Sequence, residues 1–378
     1  MKKIAFYVHG ASYGGVEQLI QELLLNFSND YKLCLLSPTS KGICTVQCEN
    51  FIQINENKIS DLSEIMRTEK FDCIYVPRSW APTHANFIKA IYKANINTKY
   101  IAGIHVPINI FDNSFLSTSL PSQVIYNSCD AIHLVDEVQE SVMSIPQIFS
   151  EKKFFIENII KIPNTNMFDE RTLIPRIITA GRLSWEKNFI VLIQLAYLLK
   201  KHNKQIPIKI WGDGPEKEKL LNLIKIYNVE DQISLSQYDK NWKNNIRYGD
   251  IFVCCSHYEG YGMALAEASR IGIPCIGFNF SQGPISILKE KKNSILIDSI
   301  PDANLLYEAV LTIYKQYKID NSKSNQSIIL SKWKKLFEKI LSTENSEMQR
   351  IRNNIPLVNI FGSNDTKSAL SMILGKII

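Results

Sequence analysis

The sequence predicts an α/β protein made of two domains, and three observations lead to this prediction. The chain has 378 residues, which is too long for one ordinary domain and suits two domains of about 150 to 200 residues. Short apolar runs alternate with stretches of helical periodicity through most of the chain, as in a parallel sheet covered by helices on both faces. A segment rich in turn-forming residues lies at 162–166, before Pro175. We therefore predict two Rossmann-like domains.

The predicted strands fall into two series separated by that break. The first series is 4–8, 32–36, 72–76 and 99–104, and the second is 177–180, 207–211, 232–235, 251–254, 274–277 and 295–297. The boundaries follow as 1–165 for the first domain, 166–326 for the second, and 327–378 for a closing helix with a tail. Ligands of open α/β sheets bind outside the carboxyl ends of the strands, so functional residues are expected in the loops that follow them.

The closing helix is predicted over Ser327 to Leu341. Its apolar side chains lie near one side at helical spacing, and they are Ile328, Trp333, Leu336, Phe337 and Ile340. Residues 343–378 extend past it without a clear pattern. Ser368 to Ile378 is expected either to cap the first domain or to touch a partner or a membrane.

Composition excludes some classes of protein. Apolar residues make up 45% of the chain and charged residues 21%, so both halves can bury a core. The net charge is +6 and the isoelectric point is near 8.7. This mildly basic balance favours phosphates or an anionic membrane surface, and it is not that of a dedicated nucleic-acid-binding protein.

The eight cysteines lie mostly in apolar, strand-like runs. They are read as small buried hydrophobic residues in a reducing compartment. Cys44 and Cys48 have the spacing of half a metal site, but no second Cys/His pair suits it, so no metal is expected. The apolar run after Met1 is too short for a signal peptide, and no apolar stretch is long enough to span a membrane. We expect a cytoplasmic protein, at most peripheral at the inner face of the cell membrane.

The most informative segment runs from Glu259 to Glu267, with the sequence EGYGMALAE. It follows an apolar run and opens a helical pattern. A glycine turn at a helix start presents backbone N–H groups and the positive end of the helix dipole, which suits a diphosphate. Carboxylates repel phosphates but accept hydrogen bonds from sugar hydroxyls. The alternative is an acidic first turn followed by a solvated glutamate.

Two further segments precede it. In ITAGRLSWEKN (178–188), a strand ends at a glycine turn, and Arg182 and Lys187 follow. Arginine grips a phosphate through parallel N–H donors and lysine adds a mobile charge. In IKIWGDGPE (208–216), glycine and proline set a turn that opens the next helix, and we interpret this segment as mainly structural.

Together these segments resemble the signature of retaining glycosyltransferases of family 4, which have the GT-B fold. The spacing of Glu259 and Glu267 resembles the family's E-x7-E motif, and the other two segments resemble its G-R-L-x-x-x-K and G-D-G-P-E segments in the same order. The resemblance is strong over 176–285 and weaker over 1–175. It implies two Rossmann-like domains facing across a cleft, the first on the acceptor side and the second binding the nucleotide-sugar. It also implies that the helix over Ser327 to Leu341 crosses back to the first domain, and that the chain is an enzyme of bacterial surface-polysaccharide or lipopolysaccharide synthesis.

Two segments of the first domain also resemble the family. HGASYGGVE (9–17) resembles its Gly-Gly loop, in which Gly15 would let a helix start approach the donor or the acceptor; a simple tight turn is the alternative. The segment lacks the G-x-G-x-x-G spacing of nicotinamide dehydrogenases. IAGIHVP (101–107) resembles the family strand that ends in a histidine at the cleft. His105 would then lie near the reacting sugar; capping of a strand is the alternative.

The resemblance implies a role for each residue. Glu267 binds the ribose, and Glu259 binds the donor sugar. Arg182, Lys187 and the backbone near Gly262 and Met263 stabilise the diphosphate, so that Glu259, His105, Arg182 and Lys187 form the catalytic group. The chain has no D-x-D triplet, so we expect catalysis without a metal and no cofactor.

The donor is expected to be a UDP-hexose or UDP-N-acetylhexosamine, because 278–284 (FNFSQGP) resembles the F-x-x-x-x-G-P loop of family members that use them. The acceptor is expected to be a hydroxyl of a glycan or lipid-linked glycan. Two alternatives stay open: a nucleotide-sugar epimerase or phosphorylase of the same fold, and a non-catalytic nucleotide-sugar-binding subunit.

Overall fold

The computed structural model describes most of the chain. The described residues are 1–10, 14–42, 44–78, 81–105, 125, 126, 128–136, 150–160, 175–239, 241–280, 282–317, 319, 326–344 and 346. The predicted break at 162–166 and the segment Ser368 to Ile378 lie outside them.

The chain divides into two compact units. The first unit is Met1–Ile159 with the segment that begins at Gln326, and the second unit is Ile160–Asn325. This division lies close to the domain boundaries expected from the sequence.

The first unit contains a seven-stranded sheet in which every pair of neighbours is parallel. Its order is β3-β2-β1-β4-β5-β6-β7. The strands are β1 (Lys3–Tyr7), β2 (Lys32–Ser37), β3 (Phe51–Gln53), β4 (Cys73–Pro77), β5 (Lys99–Ile104), β6 (Ala131–Leu134) and β7 (Lys153–Phe155). Chain order reverses at β1, so the switch point of this sheet lies between β1 and β4.

Helices cover both faces of this sheet. They include α1 (Gly15–Phe27), α2 (Ile59–Glu69) and α3 (Ala81–Ala94). Successive residues of β1 point to opposite faces: Ala5 and Tyr7 join the core formed with α2 and α3, whereas Ile4 and Phe6 join the core on the face of α1. Burial on both faces explains why these strands read as continuous apolar runs.

The second unit repeats this architecture with a six-stranded parallel sheet. Its order is β10-β9-β8-β11-β12-β13, and its switch point lies between β8 and β11. The strands are β8 (Arg176–Ala180), β9 (Ile208–Trp211), β10 (Ile233–Ser236), β11 (Asp250–Val253), β12 (Cys275–Phe278) and β13 (Ile295–Ile297).

The helices of the second unit include α4 (Ile190–Lys201), α5 (Lys217–Ile226), α6 (Met263–Ile271), α7 (Gln282–Leu288) and α8 (Ala303–Lys315). Residues of α4, α5 and α8 pack on one face of the sheet, where Leu195, Leu220 and Leu306 are buried. On the other face, α6 packs against Ile178 and Phe252. The predicted fold class, two Rossmann-like α/β units with parallel sheets, is confirmed.

The last described helix, α9 (Gln326–Ser342), belongs to the core of the first unit. Trp333, Leu336 and Phe337 are each at most 1% exposed and pack with Phe6 and α1. The prediction for Ile328 is wrong: it is 56% exposed, and Ile329 takes its place in the core. Ile329 lies four residues before Trp333 and shares its face of the helix, whereas Ile328 lies five residues before Trp333 and points away from that face.

Two further observations concern the sequence predictions. Strands β3, β6 and β7, each of three or four residues, were not predicted. All eight cysteines are free and seven are buried, in agreement with the interpretation that they act as small hydrophobic residues.

Candidate functional site

The loops after β8 and β11 meet at the switch point of the second unit. The loop after β8 leads into a 3-10 turn at Trp185–Lys187, and the loop after β11 leads into α6. The backbone N–H of His257 donates to the carbonyl of Glu186 at 2.8 Å, which ties the two loops together. Most of the residues predicted for this unit lie on these two loops.

The loop that carries Arg182 is held by the glycine turn after β9. A Cβ on Gly212 would lie 2.4 Å from the carbonyl oxygen of Gly181, and one on Gly214 would lie 2.5 Å from that of Leu183. The N–H of Leu183 donates to the carbonyl of Asp213 at 2.9 Å. This close packing is the structural role expected for the turn. The side chain of Arg182 pairs with no charged group among the described residues, and Arg182 is exposed.

Lys187 and Glu259, which the sequence placed in separate motifs, form an ion pair. Lys187 Nζ lies 2.6 Å from Glu259 Oε1, and the two side chains are 25% and 13% exposed. The hydroxyl of Ser256 donates to the same oxygen at 2.8 Å. No donor among the described residues reaches Oε2 of Glu259. The carboxylate is therefore fixed through one oxygen and keeps acceptor capacity on the other.

The pair also sets the charge of Lys187. Burial acts to lower the pKa of this ammonium group, but the carboxylate of Glu259 outweighs burial and raises the pKa above its ordinary value. Lys187 is therefore protonated throughout the neutral range, as a phosphate-binding lysine must be.

Gly262 forms the entry to α6. It is the N-cap residue and has φ +83°, a left-handed conformation that favours glycine. Met263 is the first helical residue, and the first N–H groups of a helix have no partner within it. The first turn of α6 contains no acidic residue. A Cβ on Gly283 of α7 would lie 2.5 Å from the carbonyl oxygen of Tyr261 and 2.9 Å from Cβ of Glu259, so this glycine lets α7 pack against the turn.

Glu267 is a buried residue on α6, and its carboxylate is bound by two residues that the sequence did not predict. Lys243 Nζ lies 2.6 Å from its Oε1, with the side chains 13% and 7% exposed. Trp242 Nε1 donates to Oε2 at 3.2 Å. The alternative that Glu267 is a solvated helix residue is wrong. Trp242 and Lys243 lie in a 3-10 turn (Trp242–Asn245), where no periodicity or family-like spacing marked them.

In the first unit, His105 follows β5 and takes part in a buried hydrogen-bonded chain. His133 Nε2 donates to the carbonyl of Ile156 at 2.7 Å, so its Nδ1 is an acceptor. The hydroxyl of Tyr75 lies 2.8 Å from that Nδ1 and 3.0 Å from His105 Nε2. Tyr75 therefore donates to His133 and accepts from His105. In this arrangement the ring proton of His105 is on Nε2 and its Nδ1 is an acceptor.

Burial, with a smaller contribution from His133, lowers the pKa of His105 well below its ordinary value. Burial lowers the pKa of His133 to about 4. Both rings are thus neutral at neutral pH. These hydrogen bonds show that His105 does more than cap a strand. They do not test a role of His105 in catalysis, which stays a prediction.

The start of α1, where Gly15 was predicted to approach a ligand, carries its own carboxylate. Glu17 Oε2 accepts from the N–H of Gly14 at 3.0 Å, and burial raises the pKa of Glu17. The carboxyl group of Glu17 thus lies at the helix start where the sequence predicted a ligand. The role of Gly15 stays a prediction.

Within the described residues, no cluster of three or more His, Cys, Asp or Glu side chains is placed to hold a metal ion. Among the described helices, none has the length and apolar character needed to cross a bilayer.

Comparison with known proteins decides the family of the second unit. Residues 168–328 match the family model described as "Glycosyl transferases group 1". We call the second unit, which carries this match, the group 1 unit. The group 1 unit contains Arg182, Lys187, Glu259 and Glu267.

Two curated proteins to which the chain is similar come from bacteria. The chain is 27% identical over 219 residues to an uncharacterized glycosyltransferase of Haemophilus influenzae, which covers 55% of this chain and 58% of that protein. It is 26% identical over 223 residues to the poly(ribitol-phosphate) alpha-N-acetylglucosaminyltransferase of Staphylococcus aureus, with 56% and 44% covered. The chain thus spans about half the length of these relatives.

Among solved structures, the chain is similar to Alr3699/HepE of Anabaena, determined in complex with UDP and glucose. The TM-score is 0.71 with 15% identity, and the match covers 91% of this chain and 100% of that chain. This likeness shows that the chain has the fold of that protein. Whether the chain falls into family 4 in particular stays a prediction.

Proposed function

We propose that the protein is a retaining, metal-independent glycosyltransferase. It transfers a hexose or N-acetylhexosamine from a UDP-sugar to a hydroxyl of a glycan or glycolipid acceptor. One observation carries this proposal: the group 1 unit brings Lys187 and Glu259 from different loops to 2.6 Å beside the left-handed entry to α6. A cation, a partly open carboxylate and unpaired helix N–H groups lie together at the switch point, where open sheets bind ligands.

The positive groups act on the diphosphate. Arg182, Lys187 and the N–H groups at Gly262 and Met263 stabilise the charge that develops on the leaving nucleoside diphosphate, and such preorganised stabilisation supplies a large share of catalysis. Because these groups do the work of a divalent cation, transfer does not require one. The bond between the anomeric carbon and the diphosphate oxygen breaks, and the acceptor oxygen forms the new bond to that carbon on the same face. The leaving phosphate oxygen takes the proton of the acceptor hydroxyl.

The two glutamates bind the donor sugar and the ribose, which lie on either side of the diphosphate. Glu259 accepts hydrogen bonds from hydroxyls of the donor sugar through Oε2, to which no described residue donates. Glu267 accepts from the ribose, while Lys243 and Trp242 fix its orientation. Lys243 is therefore a positioning residue in this proposal. Gly15 and His105 of the first unit are assigned to the donor by resemblance to the family.

The donor and setting are proposed from the comparisons. The Anabaena structure contains UDP and glucose, and the name of the S. aureus relative gives N-acetylglucosamine as the transferred group and poly(ribitol-phosphate) as the acceptor. We assign this chain to surface-polysaccharide or lipopolysaccharide synthesis by analogy. The enzyme would act in the cytoplasm or at the inner face of the cell membrane.

The test is a donor panel. Thermal unfolding is measured with UDP, GDP, ADP and dTDP and their sugar derivatives, and a ligand at 100 times its dissociation constant adds about 2.7 kcal/mol to the free energy of unfolding. Stabilisation by UDP and its sugars alone is expected. Products formed from the stabilising donor are then examined by NMR for the anomeric configuration of the new bond.

Three results would contradict the proposal. They are a melting temperature that no nucleotide changes, donor isomerisation without an acceptor, and donor binding without turnover on any glycan acceptor. The second result would indicate an epimerase, and the third would indicate a non-catalytic subunit.

A further inference from the structure

A second polar cluster lies at the switch point of the first unit. It consists of Tyr7, His9, Glu56 and Arg78, and we call it the Arg78 cluster. Tyr7 ends β1, His9 follows it, Arg78 follows β4, and Glu56 lies between β3 and α2. The strands β1 and β4 are neighbours in the sheet, so the cluster lies at the carboxyl edge where open α/β sheets bind ligands.

The side chains of the Arg78 cluster bond to one another. The Tyr7 hydroxyl makes a short hydrogen bond to Glu56 Oε2. Arg78 Nη1 lies 3.1 Å from the Tyr7 oxygen, 3.2 Å from Glu56 Oε2 and 2.5 Å from His9 Nδ1. All recorded hydrogen bonds of the guanidinium therefore come from Nη1. No acceptor among the described residues reaches Nε or Nη2, and the side chain is 27% exposed.

The groups of the Arg78 cluster that remain available to a ligand are hydrogen-bond donors. A guanidinium only donates, so His9 Nδ1 accepts from Arg78 and the ring proton of His9 is on Nε2. The side chain of His9 is 52% exposed, whereas that of Glu56 is 13% exposed and bonded through both oxygens. The groups left for a ligand are the N–H groups of Arg78 and His9.

The backbone at each of these residues is held in place. Thr39 Oγ1 donates to the carbonyl of His9 at 3.2 Å, and Asn86 Nδ2 donates to that of Glu56 at 3.0 Å. His84 Nε2 donates to the carbonyl of Arg78. Burial lowers the pKa of His84 to about 4, so this ring is neutral, and its Nδ1 accepts from the Tyr100 hydroxyl at 2.8 Å. Asn86 and His84 both lie on α3, which thereby positions two members of the cluster.

We propose that the Arg78 cluster is a binding site for a phosphoryl oxyanion. Free N–H donors on a planar guanidinium match the oxygens of a phosphate, which only accept. A sugar hydroxyl must also donate its own proton, and the only acidic group of the cluster already has both oxygens bonded. The exposed chemistry therefore favours a phosphate ester over a neutral glycan. The ligand is bound through Arg78 Nε and Nη2 and His9 Nε2.

The assignment of this phosphate to the acceptor substrate rests on the proposed function. On that basis the first unit recognises a phosphate group carried by the acceptor, and the enzyme prefers a phosphorylated acceptor to a neutral one. The oxyanion site itself does not depend on glycosyl transfer.

The experiment measures binding to the full-length chain in saturating UDP, so that the site of the group 1 unit is already filled. Inorganic phosphate, glycerol phosphate and glycerol are titrated separately and followed by NMR. We expect both phosphates to bind and glycerol not to bind. The variant Arg78→Gln should weaken phosphate binding about tenfold or more, because charge-assisted hydrogen bonds are lost.

Two further variants keep the result interpretable. Lys58→Met removes an exposed cation close to Glu56 in the chain. Among the described residues, Lys58 pairs with Asp61 at 3.1 Å, and the variant should bind phosphate like the wild type. His9→Ala leaves the Arg78–Glu56 pair in place and should weaken binding less than Arg78→Gln does. Melting temperatures show whether each variant folds.

Several outcomes would overturn the site: no phosphate binding to the wild type, equal binding of glycerol and glycerol phosphate, or wild-type affinity in both Arg78→Gln and His9→Ala. Failure of UDP to bind would contradict the proposed function instead, since phosphate affinities of the variants can still be compared without it. An enzyme that uses neutral and phosphorylated acceptors equally well, although Arg78 binds phosphate, would overturn only the assignment to the acceptor.

Discussion

An ion pair lies at each end of the neighbouring strands β8 and β11. The two pairs differ in whether a carboxylate oxygen remains available to accept a hydrogen bond from a ligand. At the amino ends, Arg176 and Asp250 are register partners, 8% and 1% exposed. At the carboxyl ends, the loops that follow the same strands bring together Lys187 and Glu259, 25% and 13% exposed. Both pairs join opposite charges at 2.6 Å.

Hydrogen-bond saturation separates the two pairs. Asp250 accepts from Arg176 through both oxygens, at 2.7 and 2.6 Å, and from the N–H of Arg247 at 2.8 Å. Glu259 accepts through Oε1 alone among the described donors. A buried pair with every acceptor filled holds two strands together, whereas a pair with an open oxygen can receive a ligand. The same chemistry thus serves the fold at one edge and binding at the other.

The largest effect is expected at the amino edge. Asp250→Ala leaves the guanidinium of Arg176 buried without its carboxylate, which costs about 3 to 5 kcal/mol of the free energy of unfolding. Denaturant unfolding of the variant measures this loss, and the dissociation constant for UDP should change little in the fraction that folds.

The double variant Arg176→Met/Asp250→Leu is the control for that loss. Because no charge is left unpaired, it should regain a large part of the stability. A single variant as stable as the wild type would show that this pair does not hold the strands.

The next effect is expected at the carboxyl edge, in turnover. Glu259→Gln keeps the shape of the side chain but removes the charge that accepts sugar hydroxyls and pairs with Lys187. The loss of a charged hydrogen bond, about 1.5 to 3 kcal/mol, should lower kcat about ten- to a hundred-fold, with a smaller change in donor binding. Kinetics and calorimetry with UDP-sugar check this, with folding confirmed by circular dichroism. A decrease in kcat of less than about threefold would show that Glu259 has no catalytic role.

Glu267 sharpens the comparison, because it is buried like Asp250 yet is proposed to bind the ribose. Glu267→Ala should mainly raise the donor KM by about tenfold or more, since ribose contacts are present in both ground and transition states. Lys243→Met should raise it less, because Trp242 still bonds to the carboxylate, and Lys243→Arg should restore part of the loss. If all three variants had the donor KM of the wild type and only their melting temperatures were lower, Glu267 would be a second structural residue.

The smallest effect is expected on removal of divalent cations. If Lys187 and Arg182 supply the positive charge at the diphosphate, transfer measured after dialysis in excess EDTA should keep nearly the full rate. Loss of activity that magnesium or manganese restores would show that these cations are insufficient.

More of the candidate site could be predicted from the sequence in the second unit than in the first. Lys187 and Glu259 each lie in a short continuous segment that follows a predicted strand, so the parallel sheet itself predicted that the two segments meet at one edge. Lys243 could not be predicted, because it reaches Glu267 from a short 3-10 turn without periodicity. The Arg78 cluster is assembled from three distant points of the chain, and of its members only His9 lies in a segment (9–17) that the sequence singled out. Spacing along a chain reveals local turns, whereas convergence of separate loops requires coordinates.

The packing of α9 has a consequence for biosynthesis. The core of the first unit includes Trp333 and Phe337, which leave the ribosome after the whole second unit has been made. The second unit is one continuous stretch and can fold as soon as it emerges, whereas the first must wait with an exposed apolar face. The first unit therefore begins synthesis earlier but completes its folding later, and a nascent chain released before α9 would expose the surface that these aromatic side chains cover.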